Sequence, residues 1–394
     1  MRTGEVPEDL ATEEVKWLTL DEDAHNALED AKGVISVDLR FEYLDRTELD
    51  KALWRFTCEC FLDRSSDKVA GFIVQHARPV VNTTCYLPVE YLSVDEERTV
   101  SEVRLLPTNA VELPPAERWF RLDPPVGCVA AVAVSGTSYQ LMAERARAVA
   151  EHALRVLRIS LRAHPFIHHR QLRFRLGESY AFREQLTGYQ SRDDTSWALT
   201  YGAKLVDTAV QEKIFGLPRV PRNHLERKAD LAARWIERGM LATEPIVSLL
   251  YYFFALEALL GDKSQTLKAP ILAFRRAMLA TAVGSGFSHP TETHLLYEDV
   301  RSAAVHGSDV QNVSDEIARN FGWDVRRALV QYLEFAADRG FTRQSQLVMA
   351  LDTHFQHGDL VAWLRDNGGP KWTDYLDGLS AEGPTPEAQA DGRD

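Results

Sequence analysis

Apolar and polar residues alternate with a period of two along much of the first half of the chain, the pattern typical of half-buried strands. The clearest alternation lies in residues 34–43, after a short helical pattern around residues 21–28 that ends at Gly33. Further strands are predicted at 54–61, 69–75, 80–87, 100–106, 129–134 and 172–176. Residues 138–162 instead repeat apolar residues at helical spacing. The first half is therefore predicted to be β-rich, with one long helix.

After the Pro-containing stretch 217–221, the apolar spacing becomes that of amphipathic helices. Helices are predicted at 224–240, 244–260, 268–283, 291–306, 314–338 and as a pair within 347–364. Pro245 suits the first turn of its helix and Ser314 suits an N-cap, so both agree with these starting points. Residues 249–256 are apolar on every side of their helix, which predicts the buried centre of a bundle.

These patterns together predict an α+β fold with two domains. A β-rich N-terminal domain that contains the long helix is expected over residues 1–217, followed by an all-α helical bundle over residues 218–380. Residues 381–394 are rich in Pro, Gly, Ala and acidic residues, a composition that predicts a disordered tail.

The charge of the chain is unevenly distributed. The 394 residues carry a net charge of −13, which argues against a surface coated for nucleic acid. Residues 1–60 hold 7 Lys and Arg against 16 Asp and Glu, whereas residues 141–220 hold 13 against 8. A polyanion such as RNA is therefore expected to approach the middle of the chain.

Three arginines of the long predicted helix lie at spacings of three and four residues and so share one face: Arg155, Arg158 and Arg162. In one interpretation this face is solvated and is joined to Glu151 by a weak ion pair. In the other interpretation it is a basic ridge that binds RNA and guides it towards the C-terminal bundle. The sequence leaves both interpretations open.

The sequence predicts neither a membrane segment nor a cofactor. Its start is polar, and its longest apolar run, residues 249–260, is interrupted by Glu257 and is too short to span a bilayer. These features predict a soluble, cytoplasmic protein. It has no Gly-rich phosphate loop, dinucleotide fingerprint or His-Glu-x-x-His motif, and its four cysteines lack the spacing of a zinc site. No metal and no cofactor are therefore expected.

The strongest chemical signal lies in residues 297–307, Tyr-Glu-Asp-Val-Arg-Ser-Ala-Ala-Val-His-Gly, which bring Arg301 and His306 close in sequence. Gly307 suits a helix C-cap, and the end of a helix favours a protonated imidazole at His306. Arg301 adds a charge that is kept at every working pH. A proton donor or acceptor beside a fixed cation can cleave RNA without a metal, through attack of the ribose 2′-OH.

A single helix of this kind makes a poor site, because a spacing of five residues puts Arg301 and His306 roughly 140° apart around a straight helix. A two-fold pair of such helices would bring two arginines and two histidines into one cleft. The residues therefore favour a site that is shared between two copies of the chain.

Glu257 is the one charged residue within the apolar run 249–260. A carboxylate in so apolar a helix needs a cationic partner, and Arg301 and Arg275 are the candidates. The alternative is that Glu257 lies at the rim of the bundle and reaches water.

These two segments together resemble a known family. Arg301-x4-His306 followed by Gly307, with residues 256–261 (LEALLG) about forty residues earlier, is similar to the ApeA-like branch of the HEPN superfamily. In that branch a LEALLG helix precedes an RSxxVHG helix. The similarity covers residues 224–340, under a third of the chain.

This resemblance implies a small helical bundle that forms a homodimer and cleaves RNA without a metal ion. Arg301 and His306 would be the catalytic residues, with Tyr297, Ser302 and Glu257 in support. The β-rich N-terminal domain would be the sensor or the substrate-selecting part, on which an unknown trigger ligand or partner protein acts. The resemblance also suggests a toxin-like or antiphage defence role.

Two other interpretations stay open at this point. A non-catalytic HEPN module would bind RNA, a nucleotide or a partner protein and would use the bundle only to dimerise. Ser302 and the acidic composition favour this module, since many catalytic members of the family have Asn, Asp or His after the arginine. In the other interpretation, Arg301 and His306 only hold the end of a helix, through an ion pair and carbonyl capping.

Overall fold

The computed structural model describes the chain over 1–62, 68–111, 126–161, 174–177, 180–183, 203–204, 214, 216–261, 269–284, 289–302, 313–353, 358–370, 373–374 and 377. Several residues singled out from the sequence lie outside these ranges. They are His306 with the adjacent Gly307, Arg162, and the predicted tail at 381–394.

Residues 1–62 and 68–77 form a helical unit, named here the N-terminal helical unit. It consists of β1 (Arg2–Glu5) paired antiparallel with β2 (Trp17–Leu20), α1 (Glu22–Ser36), a 3-10 turn (Leu39–Phe41), α2 (Arg46–Phe61) and α3 (Lys68–His76). Asp21 caps α1, because its side chain accepts a hydrogen bond from the amide of Ala24 at 2.8 Å. The apolar side chains of this unit form a core separate from that of the rest of the chain.

Three strands predicted in this unit are wrong: 54–61 lies in α2, 69–75 lies in α3, and 34–43 ends α1 and contains the 3-10 turn. The start of α2 is set by a capping box. The Asp45 carboxylate accepts from the amide of Glu48 at 2.8 Å, and the Glu48 carboxylate accepts from the amide of Asp45 at 3.2 Å. The buried residues of α2 then follow at helical spacing, so the alternation in its sequence is coincidental.

A curled antiparallel sheet follows. Its strands are β3 (Val81–Glu90), β5 (Arg98–Val100), β6 (Val103–Pro107), β7 (Val126–Gly136), β8 (Arg175–Leu176) and β9 (Ala181–Phe182). Their order is β5-β6-β7-β3-β8, with β9 also paired to β3, and a short parallel pair joins β4 (Leu92–Ser93) to β10 (Ala203–Lys204). The strands predicted at 80–87 and 129–134 are confirmed as β3 and β7, whereas 100–106 divides into the hairpin β5-β6.

Helix α4 (Tyr139–Ser160) confirms the predicted long helix and lies across the sheet. Glu42 of the N-terminal helical unit holds its start, accepting from the amides of Thr137 at 2.5 Å and Ser138 at 3.2 Å and pairing with Arg145. Burial alone would raise the pKa of Glu42, but the hydrogen bonds from Arg145, Thr137 and Ser138 outweigh it and hold this pKa below its ordinary value. Glu42 thereby attaches the N-terminal helical unit to the sheet layer.

The C-terminal bundle matches the predicted helices closely. Its elements are α5 (His224–Leu241), α6 (Pro245–Leu260), α7 (Ala269–Ala282), α8 (Thr291–Leu296), a π-helical turn (Tyr297–Ser302), α9 (Asp315–Arg339), α10 (Gln344–Asp352) and α11 (Gly358–Gly368). Pro245 starts α6, and the Ser314 hydroxyl caps α9 by accepting from the amide of Ile317 at 3.2 Å. Among the residues that the structure describes, every helix is too short or too polar to cross a membrane.

Helix α6 lies at the centre of the bundle, as its apolar sequence predicts. The Tyr252 ring is packed so closely against Gly239 of α5 and Gly322 of α9 that a Cβ at either glycine would collide with it. One continuous core runs from the sheet through α4 into the bundle. The α+β fold is therefore confirmed, with the sheet, α4 and the bundle sharing this core.

Candidate catalytic site

The segment that carries Arg301 changes helix type along its length. It is α-helical from Thr291 to Leu296 and π-helical from Tyr297 to Ser302, where the sequence predicts one α-helix over 291–306. A π-helix bonds residue i to residue i+5, and single π-turns inside helices are frequent at functional sites. In this turn the Arg301 guanidinium lies over the Tyr297 ring, with 5.0 Å between its Cζ atom and the ring centroid.

Glu257 joins this turn to the central helix α6. Its Oε1 lies 3.0 Å from Nη2 of Arg301 and accepts a hydrogen bond from the Tyr297 hydroxyl at 3.1 Å. These three residues are named the Glu257 cluster. Of the two partners predicted for Glu257, Arg301 is confirmed, whereas Arg275 pairs with Asp352. The cation is needed because Glu257 lies in the last turn of α6, where the helix dipole disfavours a negative charge.

The Glu257 cluster is only partly buried. The side chains of Arg301 and Glu257 are 22% and 25% exposed, so the ion pair reaches solvent. The Nε atom of Arg301 is itself buried and has no hydrogen-bond acceptor among the described residues. The hydrogen-bonding capacity of this guanidinium is therefore not saturated in the part of the chain that the structure describes.

Tyr297 serves the cluster as a neutral hydrogen-bond donor. Burial and the neighbouring Glu257 carboxylate raise its pKa to about 12, and the charge of Arg301 only partly opposes this rise. Phe253 fixes the Tyr297 ring edge-to-face, with ring centroids 5.2 Å apart, and Phe253 in turn packs against Phe321. The aromatic core of the bundle thus positions the hydroxyl that holds Glu257.

Side chains from two other helices cap the end of α6 that carries Glu257. Arg275 of α7 donates to the carbonyl of Leu260 at 2.8 Å and pairs with the buried Asp352 of α10. Gln344 of α10 donates through Nε2 to the carbonyls of Ala258, Leu259 and Gly261 at 2.9, 2.9 and 2.6 Å. These contacts fix the backbone beneath the Glu257 cluster. The one sequence signal for these contacts is Arg275 itself, a cation within an apolar helix that needs a partner.

The other predicted site residues are less well connected to this cluster. Ser302 ends the π-turn and is partly buried. His306 lies outside the described residues, so its position relative to Arg301 stays a prediction.

The predicted RNA-binding arginines on α4 are corrected by their contacts. Arg155 donates to Glu237 of α5 at 2.8 Å, and Arg158 pairs with the same carboxylate while donating to the carbonyl of Phe174 at 2.7 Å. Arg158 is 8% exposed. These two residues join α4 to α5. Their contacts therefore match neither of the two interpretations, the solvated face paired with Glu151 or the ridge that guides RNA. The third member of the predicted ridge, Arg162, is outside the described residues.

Within the described ranges, no group of three or more His, Cys, Asp or Glu side chains is arranged to hold a metal ion. Comparison of the chain with protein-family models, curated proteins and solved structures found no match. The resemblance to the HEPN superfamily therefore depends on the two sequence segments alone.

Proposed function

We propose that this chain is a metal-independent endoribonuclease of the HEPN type, in which the 2′-OH of RNA attacks the adjacent phosphate. The observation that supports this most is the contact between the two segments that carry the resemblance. Residues 256–261 and the turn that contains Arg301 are about forty residues apart in sequence, yet Glu257 and Arg301 form an ion pair. The motif arginine is thereby held at the end of a buried, fixed helix, with part of its guanidinium at the surface.

Each member of the site has a chemical role in this proposal. Arg301 stabilises the charge that develops on the phosphoryl oxygens, and His306 transfers the proton as general acid or base. Glu257 orients Arg301, and Tyr297 orients Glu257, so both are positioning residues. A buried donor without an acceptor costs about 1–3 kcal/mol, so the Arg301 side chain gains by turning towards a phosphate oxygen. The products would carry a 2′,3′-cyclic phosphate and a 5′-OH.

A partly exposed apolar stripe on α6 supports a homodimer. After its first two residues most of this helix is buried, but Val247, Leu250, Tyr251 and Phe254 remain partly exposed at spacings of three and four. The stripe ends at Glu257. An isologous contact between two such stripes would bring the Arg301 residues of both copies into one groove, together with both copies of His306. A monomer by light scattering at micromolar concentration would count strongly against this arrangement.

The proposed biological role is taken from the resemblance to the HEPN superfamily. An RNA substrate implies a cytoplasmic site of action, and an enzyme that cuts cellular RNA needs to be held inactive until it is triggered. In a toxin-like or antiphage role, the N-terminal part of the chain would receive that trigger, as a ligand or a partner protein.

The decisive experiment is RNA cleavage by the purified protein in excess EDTA, with mapping of the cut ends. Arg301→Ala and His306→Ala should each lower the cleavage rate by about two to four orders of magnitude while fold and oligomeric state stay unchanged. Arg327→Ala is the matched control, since Arg327 is an exposed arginine on α9, and it should cut at the parent rate. Cleavage by His306→Ala at the parent rate, or inhibition of the parent by EDTA with 5′-phosphate products, would contradict the proposal.

The second candidate is the non-catalytic HEPN module that binds RNA, a nucleotide or a partner protein. Two observations favour it: Ser302 follows the arginine, and Glu257 already neutralises the Arg301 charge. In the same experiment this module would bind RNA without cutting it, and the Arg301→Ala change would alter binding alone.

A further inference from the structure

The N-terminal helical unit contains a cavity of about 480 Å³ between α1, α2 and α3. Its floor is aromatic: the rings of Phe41 and Phe72 stack with centroids 5.8 Å apart, and Phe56 lies 5.2 Å from Phe72. One wall is the small-residue face of α1, where Ala27 and Ala31 line the opening. The cavity is thus enclosed on three sides by helices and has an almost wholly apolar lining.

The polar groups Asp38, Arg40 and Thr57 at the cavity make hydrogen bonds within the protein. Arg40 donates to the Asp38 carboxylate from Nε at 3.0 Å and from Nη2 at 2.6 Å, so the two charges cancel. The Thr57 hydroxyl donates to the carbonyl of Leu53 at 2.8 Å. An occupant therefore meets no net charge from these residues. Charge complementarity favours an uncharged molecule.

The surroundings of the cavity also indicate binding. Val34 and Phe61 both line it and are 70% and 58% exposed, and the neighbouring Val37 is 79% exposed. Protein interiors are normally packed without large voids, and contiguous exposed apolar surface of this kind marks interaction sites. A volume of 480 Å³ lies within the range of pockets that hold small organic ligands.

We propose that this cavity binds a small, uncharged, largely apolar organic molecule. The aromatic floor would contact its apolar body, and the Asp38–Arg40 side of the opening would contact any polar end. This binding does not depend on the proposed ribonuclease activity. It gives the expected trigger a specific place, in a unit that is attached to the start of α4 through Glu42.

The test uses the full chain and the neutral fluorophore N-phenyl-1-naphthylamine. Its fluorescence should rise and saturate at one probe per chain, and the probe should raise the melting temperature, since a ligand that binds only the folded state stabilises it. Ala27→Trp fills the opening from an exposed position on α1 and should weaken binding at least tenfold. Asn26→Trp places the same side chain one residue away, outside the lining, and should bind as the parent does.

A second filled variant and an anionic probe complete the test. Ala31→Trp repeats the filling from one turn further along α1, in case Ala27→Trp fails to fold. The anionic 1-anilinonaphthalene-8-sulfonate should bind at least tenfold more weakly than the neutral probe. Three results would each overturn the proposal. They are no saturable binding by the parent, binding by both filled variants as tight as that of the parent, and tighter binding of the sulfonate than of the neutral probe.

Discussion

Two arginine–carboxylate pairs lie at the same end of α6, and they differ in almost every physical respect. Arg275 donates to both carboxylate oxygens of Asp352, at 2.8 and 2.6 Å, and the two side chains are 2% and 5% exposed. Arg301 contacts one oxygen of Glu257 at 3.0 Å, with 22% and 25% exposure. An arginine and a carboxylate thus form two different pairs at this helix end. In the first pair both carboxylate oxygens accept from the arginine, and in the second pair only one does.

The difference shows how residues of one type take different roles. A buried bidentate pair has lost its water, so each ion depends on the other and neither can turn to a ligand. A partly exposed pair keeps some solvent and exchanges partners at low cost. By this criterion Arg301 can exchange Glu257 for a phosphate, whereas the Arg275–Asp352 pair holds the backbone at the end of α6.

The largest expected effect is the loss of stability on Arg275→Ala. This change leaves the Asp352 charge buried without its partner and removes the donor to the Leu260 carbonyl. Removing one partner of a buried pair typically lowers the free energy of unfolding by about 3–5 kcal/mol. Urea unfolding measures it, with Arg365→Ala as the matched control because Arg365 pairs with Asp377 at the surface. A loss below about 1 kcal/mol, the usual value for exposed pairs, would remove the contrast.

A smaller effect on stability is expected for Arg301→Ala. Glu257 can be hydrated when its partner is lost, so the free energy of unfolding should fall by about 1 kcal/mol or less. RNA cleavage should nevertheless be abolished if the proposed function is correct. Urea unfolding and cleavage are measured on the same preparation, beside Arg301→Lys, which keeps the charge and loses the planar fork. A destabilisation as large as that of Arg275→Ala would show that both arginines are structural.

The smallest effect concerns the dependence of stability on alkaline pH. The pKa of Tyr297 is raised to about 12 in the folded chain, above the value of about 10 for a free phenol. The folded state therefore holds this proton more tightly, so the stabilisation is complete below about pH 10 and is lost as the pH rises towards 12. Tyr297→Phe should make the decline of unfolding free energy less steep over this interval.

Tyr252 provides the comparison for this measurement. Burial raises its pKa to about 12 as well, but it has no carboxylate like Glu257 among the causes of that shift. Glu257→Gln should therefore reduce the alkaline contribution of Tyr297 and leave that of Tyr252 unchanged. Parallel alkaline declines in the parent and in Tyr297→Phe would show that Tyr297 does not titrate in this interval.

The bundle could be predicted from sequence to within a few residues because its signals are local. Helical spacing of apolar residues, Pro245 at a first turn and Ser314 at an N-cap each act within one element. A cationic partner for Glu257 was also predictable, since a carboxylate in an apolar helix requires a cation, but the choice between Arg301 and Arg275 was not. The errors in the N-terminal helical unit have an equally local cause. The Asp45 and Glu48 capping box starts α2, and the alternation that predicts a strand at 54–61 is coincidental.

Contacts between residues distant in sequence could not be predicted in the same way. Glu237 is 82 residues from Arg155 and 79 from Arg158, so no spacing rule connects the carboxylate with the predicted basic ridge. The π-turn at Tyr297 is equally hidden. It occurs where Tyr297 meets Phe253 and Glu257, and those contacts exist only after α6 and α8 have packed together.

The π-turn also allows the segment to contain one extra residue while Arg301 keeps its direction. An i to i+5 turn contains one residue more than an α-turn. Deleting one exposed residue of the turn, such as Asp299, would return the segment to α-helical geometry and leave Arg301 directed towards Glu257, because five residues of a π-turn advance around the axis about as far as four residues of an α-helix. A three-nucleotide deletion in the gene at this turn would thus leave the cation in place, whereas the same deletion in a continuous α-helix would rotate every later residue by about 100°.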